Sequence, residues 1–578
     1  MSTAALDAPP VTSTLEPAAR SREARRVPEW GRVLGACLLL LLVYGCLASL
    51  NDPRGALGSD TGGKLATLRV MGDHGGLDVD VGYWAERWDP TGEFHPLYYT
   101  SRLDGQWVQV TTLPQLLLAY PLYRLGGFEA VLLLPMAGAV LTALAARALA
   151  RRMDRGRGWM AFWAVALATP VAIYALDFWE HSLGLGLMAW GAVLLLDVAR
   201  GTGGWKAAGA GGLLFGLAAT MRTEALVPLA VAAAIACIAV LARDRRLAGA
   251  VACGGAIAVG AGAALVAEHV LERAVLGVDL RAARATHTAA AAAGGVGERA
   301  KEALTTTIGL NGFAPSTSWL IGGLAVVLVG AGAFVLARRP TRATLGVALL
   351  VFAAAIYAAR LSGGLGFVPG VFTACPLAAA GLFLAWSLPQ GRLAALLACL
   401  TLPIVWVAQY SGNASPQWGG RYVLLSGVLL AVVAVVALRP APAALVAVMA
   451  LSLAVTACGV AWLSERSHTV ADGMEALVAR HDQAVVSLEG HVLREGGAFY
   501  SPARHWLTVT DLAKLPRAVR IVETAGDTEM ALLAPAGQRV PARLGPYTAG
   551  GRRPLEIRPG ERLQVVTYRA PGHDSGSP

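Results

Sequence analysis

KAAGAGGLLFGLAATMRTEALVPLAVAAAIACIAVLARDRR, residues 206–246, contains two apolar runs, 206–221 and 225–242, parted only by Arg222, Thr223 and Glu224 and followed by Arg243, Arg245 and Arg246. A run near twenty apolar residues is the length that crosses the hydrocarbon of a bilayer as a helix. The Arg-Thr-Glu break therefore marks a turn at a membrane face, and the arginine cluster marks a loop at the opposite one. Working outward, apolar runs at 33–50, 129–149, 158–176, 182–199, 247–267, 319–337, 343–359, 367–387, 392–410, 422–438 and 442–463 bring the expected number of spans to thirteen. Composition agrees: 55% of the 578 residues are hydrophobic and 15% are charged, against roughly a quarter charged in ordinary soluble domains. A soluble enzyme, a disordered chain and a coiled coil are excluded. The 67 glycines suit helices that pack closely in lipid.

The net charge of +10 arises mostly from arginines in short clusters between apolar runs. That pattern sets membrane topology and gives no reason to expect a nucleic-acid partner. With thirteen spans, Arg20, Arg22, Arg25, Arg26 and Arg32, then Arg147, Arg151, Arg152, Arg155 and Arg157, then Arg243, Arg245 and Arg246, then Arg338, Arg339 and Arg342 all fall on the cytoplasmic side. The N-terminus is then inside and the C-terminus outside. Residues 1–32 form a polar cytoplasmic tail rich in Pro, Ala and Arg. Residues 33–463 form the transmembrane domain, with long outer loops at 51–128 and 268–318, and 464–578 form a small soluble α/β domain. In that domain the patterns predict helices at 470–481 and 511–522 and strands at 484–488, 530–533 and 563–568. Residues 113–125, LPQLLLAYPLYRL, are apolar but short, and are expected to lie on or dip into the outer face. The seven cysteines all fall in apolar runs without CxxC spacing and are expected to be packing residues. No nucleotide-binding loop or metal-ligand spacing is apparent in the soluble domain.

Ionisable groups at the outer ends of spans are costly to desolvate, so they need partners or a function. Asp60, in Gly58-Ser59-Asp60-Thr61-Gly62-Gly63-Lys64, precedes a helical pattern at 61–71. Ser59 or Asp60 fits an N-cap; Asp60 equally suits a general base at the membrane surface. Asp78, Asp80, Glu86 and Asp89 alternate with Tyr83, Trp84 and Trp88. Rings that stack on sugar faces beside carboxylates that accept hydroxyls make Asp78, Asp80 and Trp84 candidate substrate residues. The alternative is an interfacial aromatic belt with solvated acids. Asp177-Phe178-Trp179-Glu180-His181 joins two spans with almost no loop. Asp177, Glu180 and His181, two acids and a His within five residues, could bind a divalent cation or equally orient a substrate hydroxyl; Glu180, His181 and, beside Arg222 at the next outer turn, Glu224 are candidate substrate residues. Arg222, Arg360 and Arg421, the last in Gln417-Trp418-Gly419-Gly420-Arg421-Tyr422, stand on the outer side against the positive-inside trend. Guanidinium groups bind phosphate oxygens in pairs, so these three and Tyr422 are candidates to bind a lipid phosphate arriving from the bilayer; pairing with an acid or snorkelling is the plainer alternative.

In this arrangement the chain resembles the GT-C superfamily of membrane glycosyltransferases that use polyprenyl-phosphate sugars, and is similar to its protein O-mannosyltransferase and aminoarabinose transferase relatives. The resemblance lies in Asp60 soon after the first span, in the helical stretches 61–71 and 113–125, in Met221-Arg222-Thr223-Glu224 between two short helices, and in Arg421-Tyr422 entering a late span. It covers 33–463. The chain departs from the family where Thr61-Gly62-Gly63 replaces paired acids and His95-Pro96-Leu97-Tyr98 replaces a double-proline motif. The resemblance implies a bacterial plasma-membrane enzyme that moves a sugar from polyprenyl phosphate to an envelope glycan, lipid or protein acceptor. Asp60 would act as base in an inverting displacement, with a divalent cation as an optional cofactor. A polytopic transporter or flippase, and a non-catalytic envelope assembly protein, are the alternatives. The preference for Arg over Lys and the Ala/Gly richness suggest a GC-rich, actinobacterial source.

Overall fold

The computed structural model describes residues 29–56, 58–278, 280–281, 283–284, 295–310, 318–361, 368–409, 418–480 and 483–571. The chain is a polytopic all-α membrane protein with a small C-terminal α/β domain. Among the described residues, nine helices are long and apolar enough to cross a membrane. The other four expected spans are helical but shorter, so thirteen full-length spans are not found. Gly158–Leu167 stops before Pro170, and Val171–Tyr174 resumes after it. Val371–Ala374 and Pro376–Leu384 are likewise broken at Cys375-Pro376, because proline lacks the amide that a continuous helix needs. Trp205–Met221 has 17 residues, and Leu424–Ala437 has 14, every one buried. A helix enclosed on all sides by other helices has no need to match the lipid thickness.

Small residues set the closest crossings. In the Gly212-Leu213-Leu214-Phe215-Gly216 stretch of Trp205–Met221, a Cβ on Gly216 would lie 2.6 Å from the carbonyl oxygen of Ala261, and one on Gly212 would strike that of Ile257. The backbones of Trp205–Met221 and Leu247–Leu276 therefore touch through glycines spaced four apart, a spacing that recurs where membrane helices pack without large side chains. Residues 1–28, with Arg20, Arg22, Arg25 and Arg26, lie outside the described residues; arginines of the later clusters gather at one end of the bundle. There Arg147 and Arg151 bind Glu29, Arg152 binds Asp197, and Arg439 Nη1 donates to Asp154 Oδ2 at 2.8 Å. All seven cysteines are free thiols.

At the opposite end lie the loop 51–128 and the C-terminal domain. Ser59–His74 is a helix, as the sequence pattern predicts. Gly58 is its N-cap, and no side chain caps it, so the N-cap role considered for Ser59 and Asp60 is not realised. Leu113–Val131 is also helical through 113–125 and breaks at Gly126 and Gly127, the latter at φ 64°. Between them β1 (Thr100–Leu103) and β2 (Gln106–Gln109) pair antiparallel around Asp104-Gly105, both at positive φ.

The last helix, Pro442–Val478, has 37 residues. At 1.5 Å per residue it is about 55 Å long, well beyond the roughly 30 Å of a hydrocarbon core. The segment 470–481, expected as a separate helix, is thus mostly its continuation, and position 464 falls within it. Six strands follow: β3 (Ala484–Ser487), β4 (His505–Thr508), β5 (Glu529–Pro535), β6 (Arg543–Leu544), β7 (Tyr547–Arg558) and β8 (Glu561–Arg569), in the order β4-β3-β5-β8-β7-β6. β3 is parallel to both β4 and β5, while β5, β8 and β7 run antiparallel. Leu515–Thr524 is the expected helix near 511–522. Sequence patterning missed β4, β6 and β7; β7 lies between β8 and β6 but is exposed along most of its length, with hardly any apolar face. Of the second long outer loop, Leu247–Leu276 and Val296–Ile308 are helical, and 285–294 and 311–317 lie outside the described residues.

Candidate active site

Helix Ser59–His74 begins with Asp60, Thr61 and Lys64 on one side of its first turn. That side faces the start of Glu180–Arg200. Lys64 Nζ pairs with Glu180 and is fully buried, and Thr61 Oγ1 donates to Asp177 Oδ2 at 3.0 Å. Arg222 stands at the C-terminal end of Trp205–Met221, in extended conformation. Its Nη1 donates to Glu180 Oε1 at 2.7 Å and to Asp60 Oδ2 at 3.3 Å, and its Nε to Glu224 Oε1 at 2.8 Å. Arg421 reaches the same Asp60 oxygen at 3.7 Å and donates to the Tyr422 hydroxyl at 2.7 Å. Its guanidinium lies 5.3 Å from the Trp179 ring and 4.6 Å from that of Tyr422, and Arg222 lies 5.4 Å from Tyr422. Glu224 Oε1 is 3.7 Å from His181 Nε2.

Seven of the predicted residues thus converge: Asp60, Glu180, His181, Arg222, Glu224, Arg421 and Tyr422. Burial of Asp60 opposes its ionisation, but Arg421, Arg222, Lys64 and Arg494 outweigh that and hold its carboxyl at about 2. It is an anion at any physiological pH. The cluster is also partly open. Side chains of Asp60 and Arg222 are 13% exposed and that of Arg421 is 14%, whereas Glu180 and Glu224 are below 6%. A pocket leads from Arg222, Arg421, Tyr422, His181 and Glu224 between the apolar side chains of Leu185, Met188, Pro228, Val423 and Leu424. The pocket is narrow, and its mainly apolar walls also include Thr401 and Ser426; in chemistry, though not in width, the lining matches a charged group joined to a hydrocarbon tail.

The remaining candidates stand elsewhere. Asp80 Oδ1 accepts from the amides of Gly82 and Trp107, both at 2.9 Å, and Asp78 accepts from Asp80 N. Trp84 stacks on His505 at 4.0 Å with the rings 12° apart, and its indole N–H donates to Trp506 O at 2.8 Å. Asp78 and Asp80 thus shape the loop, Trp84 makes its contact with the C-terminal domain, and none of these bonds joins the cluster. Arg360 ends helix Ala343–Leu361 and does not line the pocket. Gln417 lies outside the described residues. Asp177, Glu180 and His181 do not form a metal-binding group. Among the described residues the three potential ligands that approach one another are Glu489, His491 and Glu561 of the C-terminal domain.

Sequence reasoning missed Lys64 and Arg494. Lys64 follows Asp60 by four residues, one helical turn, and that spacing alone places them on one face. Arg494 gave no local signal, because it reaches the site from the C-terminal domain 434 positions from Asp60 in sequence.

Fold and cluster together define a multi-pass membrane protein with a charged, partly open site under a docked α/β domain. No protein-family model and no curated protein matches the chain. Among solved structures it is similar to ArnT from Cupriavidus metallidurans bound to undecaprenyl phosphate, at 14% identity and a TM-score of 0.41, over 92% of this chain and 98% of that one. It is also similar to the archaeal oligosaccharyltransferase AglB from Archaeoglobus fulgidus in complex with an inhibitory peptide and a dolichol-phosphate, at 10% identity and a TM-score of 0.41, over 86% and 69% of the two chains.

Proposed function

We propose that this protein is an integral membrane glycosyltransferase that moves a sugar from a polyprenyl-phosphate donor to an extracytoplasmic acceptor, with Asp60 as general base. The observation that carries this reading is the pocket whose head is Arg222, Arg421 and Tyr422 and whose walls are mainly apolar, with Asp60 bound to both arginines. The two guanidinium groups are suited to a lipid phosphate entering from the bilayer, and the apolar walls to the first units of its chain. In the displacement, Asp60 takes the proton of an acceptor hydroxyl as that oxygen bonds to the anomeric carbon. The bond from that carbon to the phosphate oxygen breaks, and the departing lipid phosphate carries the charge that Arg222 and Arg421 stabilise.

The unliganded ion pairs give this scheme an order of events. A carboxyl held at about 2 by its arginines is a poor base. A phosphate that draws Arg421 and Arg222 toward itself weakens their hold on Asp60 and raises its basicity, so donor binding prepares the base. Glu180 and Glu224 remain to anchor Arg222. In this reading the site faces outward, the arginine-rich end of the bundle is cytoplasmic, and the membrane is the bacterial plasma membrane.

The test is transfer by purified protein in nanodiscs supplied with polyprenyl-phosphate sugars and envelope acceptors. Asp60→Asn should lose transfer by at least a hundredfold while still binding undecaprenyl phosphate, and Arg421→Ala should weaken that binding at least tenfold. Wild-type transfer rates in Asp60→Asn would remove it as the base.

A further inference from the structure

The C-terminal domain reaches into the site through one short segment. The backbone at Arg494 and Glu495 packs directly on the first turn of Ser59–His74: a Cβ on Gly62 would collide with the Arg494 carbonyl, and one on Gly497 with the Gly62 carbonyl. Glu495 is buried and fixes this segment from behind through Arg466 Nη2 at 2.7 Å and Arg558 Nη2 at 2.5 Å. Arg494 is thereby held with its guanidinium 4.0 Å over the ring of Tyr98, close enough for its charge to act on Asp60.

Its pairing state differs from that of the other cations. Lys64, Arg222 and Arg421 each have a carboxylate in ion-pair range. Arg494 has none among the described residues, and its Nε is buried without a hydrogen-bond partner. Beside it, Gln109 is 2% exposed; its Nε2 donates to Tyr98 O at 2.6 Å and its Oε1 is likewise unpartnered. The Gln109 amide lies against Gly63, the neighbour of the glycine that Arg494 covers. None of Tyr98, Gln109 and Arg494 lines the apolar-walled pocket. Two unsatisfied polar groups of opposite hydrogen-bonding sense therefore stand against the first turn of Ser59–His74, outside the apolar-walled pocket.

We propose that Arg494, held against Tyr98 by the C-terminal domain, binds an anionic oxygen group of the acceptor, a carboxylate or a phosphate, while Gln109 Oε1 accepts from a neighbouring hydroxyl. The word acceptor rests on the glycosyltransferase reading; the anion site itself does not. A planar guanidinium already stacked on a ring loses little freedom on presenting two parallel N–H groups to such an oxyanion. A neutral acceptor would cover this charge without compensating it. The C-terminal domain then selects the acceptor while the membrane domain holds the donor.

The experiment uses the full chain in nanodiscs and measures binding of octyl glucuronide, octyl phosphate and octyl glucoside, with undecaprenyl phosphate as a separate arm. Octyl glucuronide and octyl glucoside differ only in carboxylate against hydroxymethyl. The wild type should bind the glucuronide or the octyl phosphate at least tenfold more tightly than the glucoside. Arg494→Gln should erase that preference and leave undecaprenyl phosphate binding within twofold. Arg421→Ala should do the reverse, and Arg494→Lys, which keeps the charge but loses the stacked fork, should retain an intermediate preference and serves if Arg494→Gln fails to fold. Which anion shows the preference separates carboxylate from phosphate. No anion preference in the wild type, a preference that survives Arg494→Gln, or one lost only in Arg421→Ala would overturn the proposal. Failure of undecaprenyl phosphate to bind while the Arg494-dependent preference holds would overturn the donor reading alone.

Discussion

Arg222 bonds to three carboxylates, those of Asp60, Glu180 and Glu224, so it organises the cluster as much as it serves a ligand. Removing one partner from a buried charge network leaves the others uncompensated, at a cost of about 3–5 kcal/mol. Arg222→Ala should lower the unfolding midpoint in detergent accordingly, and Arg222→Lys should recover part of the loss because it restores charge without the forked geometry. Asp60 gives a pH signature. Its folded-state pKa is depressed to about 2, so its contribution is fully present above its unfolded value near 3.9 and is lost as pH falls toward 2. Stability of the wild type relative to Asp60→Asn should be flat above about pH 4 and decline below it, by roughly 2–3 kcal/mol. A difference independent of pH between 4.5 and 2 would contradict the ion pairing of Asp60.

At the scale of elements, helix placement depends on where a Cβ is missing. Gly216→Val puts a branched side chain against the Ala261 carbonyl and its helix. We expect it to destabilise by about 1–3 kcal/mol, the usual cost of overpacking a close contact, seen as a lower thermal midpoint. Gly262→Val, with open space around the Cβ position, is the control and should be nearly neutral. The elements also show how far pattern carries. Among the described residues each of the thirteen apolar runs is mainly helical, because long apolar segments without backbone partners in lipid have few other folds. Their lengths were less legible: Pro170 and Pro376 interrupt two of them, and Leu424–Ala437 is short because other helices, not lipid, surround it.

Across the whole molecule, the loop 51–128 and the C-terminal domain form one continuous contact. Tyr500 Oη donates to Val81 O and Gly82 O, Thr508 N donates to Phe94 O, and Arg517 pairs with Glu93 and Asp89. Asp89 is fully buried and also accepts from Tyr83 Oη and Phe94 N, both at 2.9 Å. Asp89→Ala strands those donors and should cost about 1–3 kcal/mol, with faster hydrogen exchange both in 80–95 and in Leu515–Thr524. Arg517 is 45% exposed, so Arg517→Ala should change stability by less than about 1 kcal/mol. Exchange that quickens only in the loop would mean the two parts are not coupled.

The amino-acid sequence by itself determined that the chain is a multi-helix membrane protein ending in an α/β domain, because apolar run length and the period of hydrophobicity are local properties that lipid and a half-buried sheet enforce residue by residue. It also marked most of the cluster, since an acid or an arginine at the end of an apolar run is costly wherever it sits. Tertiary structure alone decided which of these charges meet. Asp60, Glu180, Arg222 and Arg421 come from four separated segments, and the distances between their charged atoms depend on how the helices pack. Asp78, Asp80 and Trp84 look equally functional in sequence, yet Asp78 and Asp80 bond within the loop 51–128 and Trp84 packs on His505 and Trp506 of the C-terminal domain. The docking of that domain brings Arg494 to the site, across a separation that no local pattern encodes.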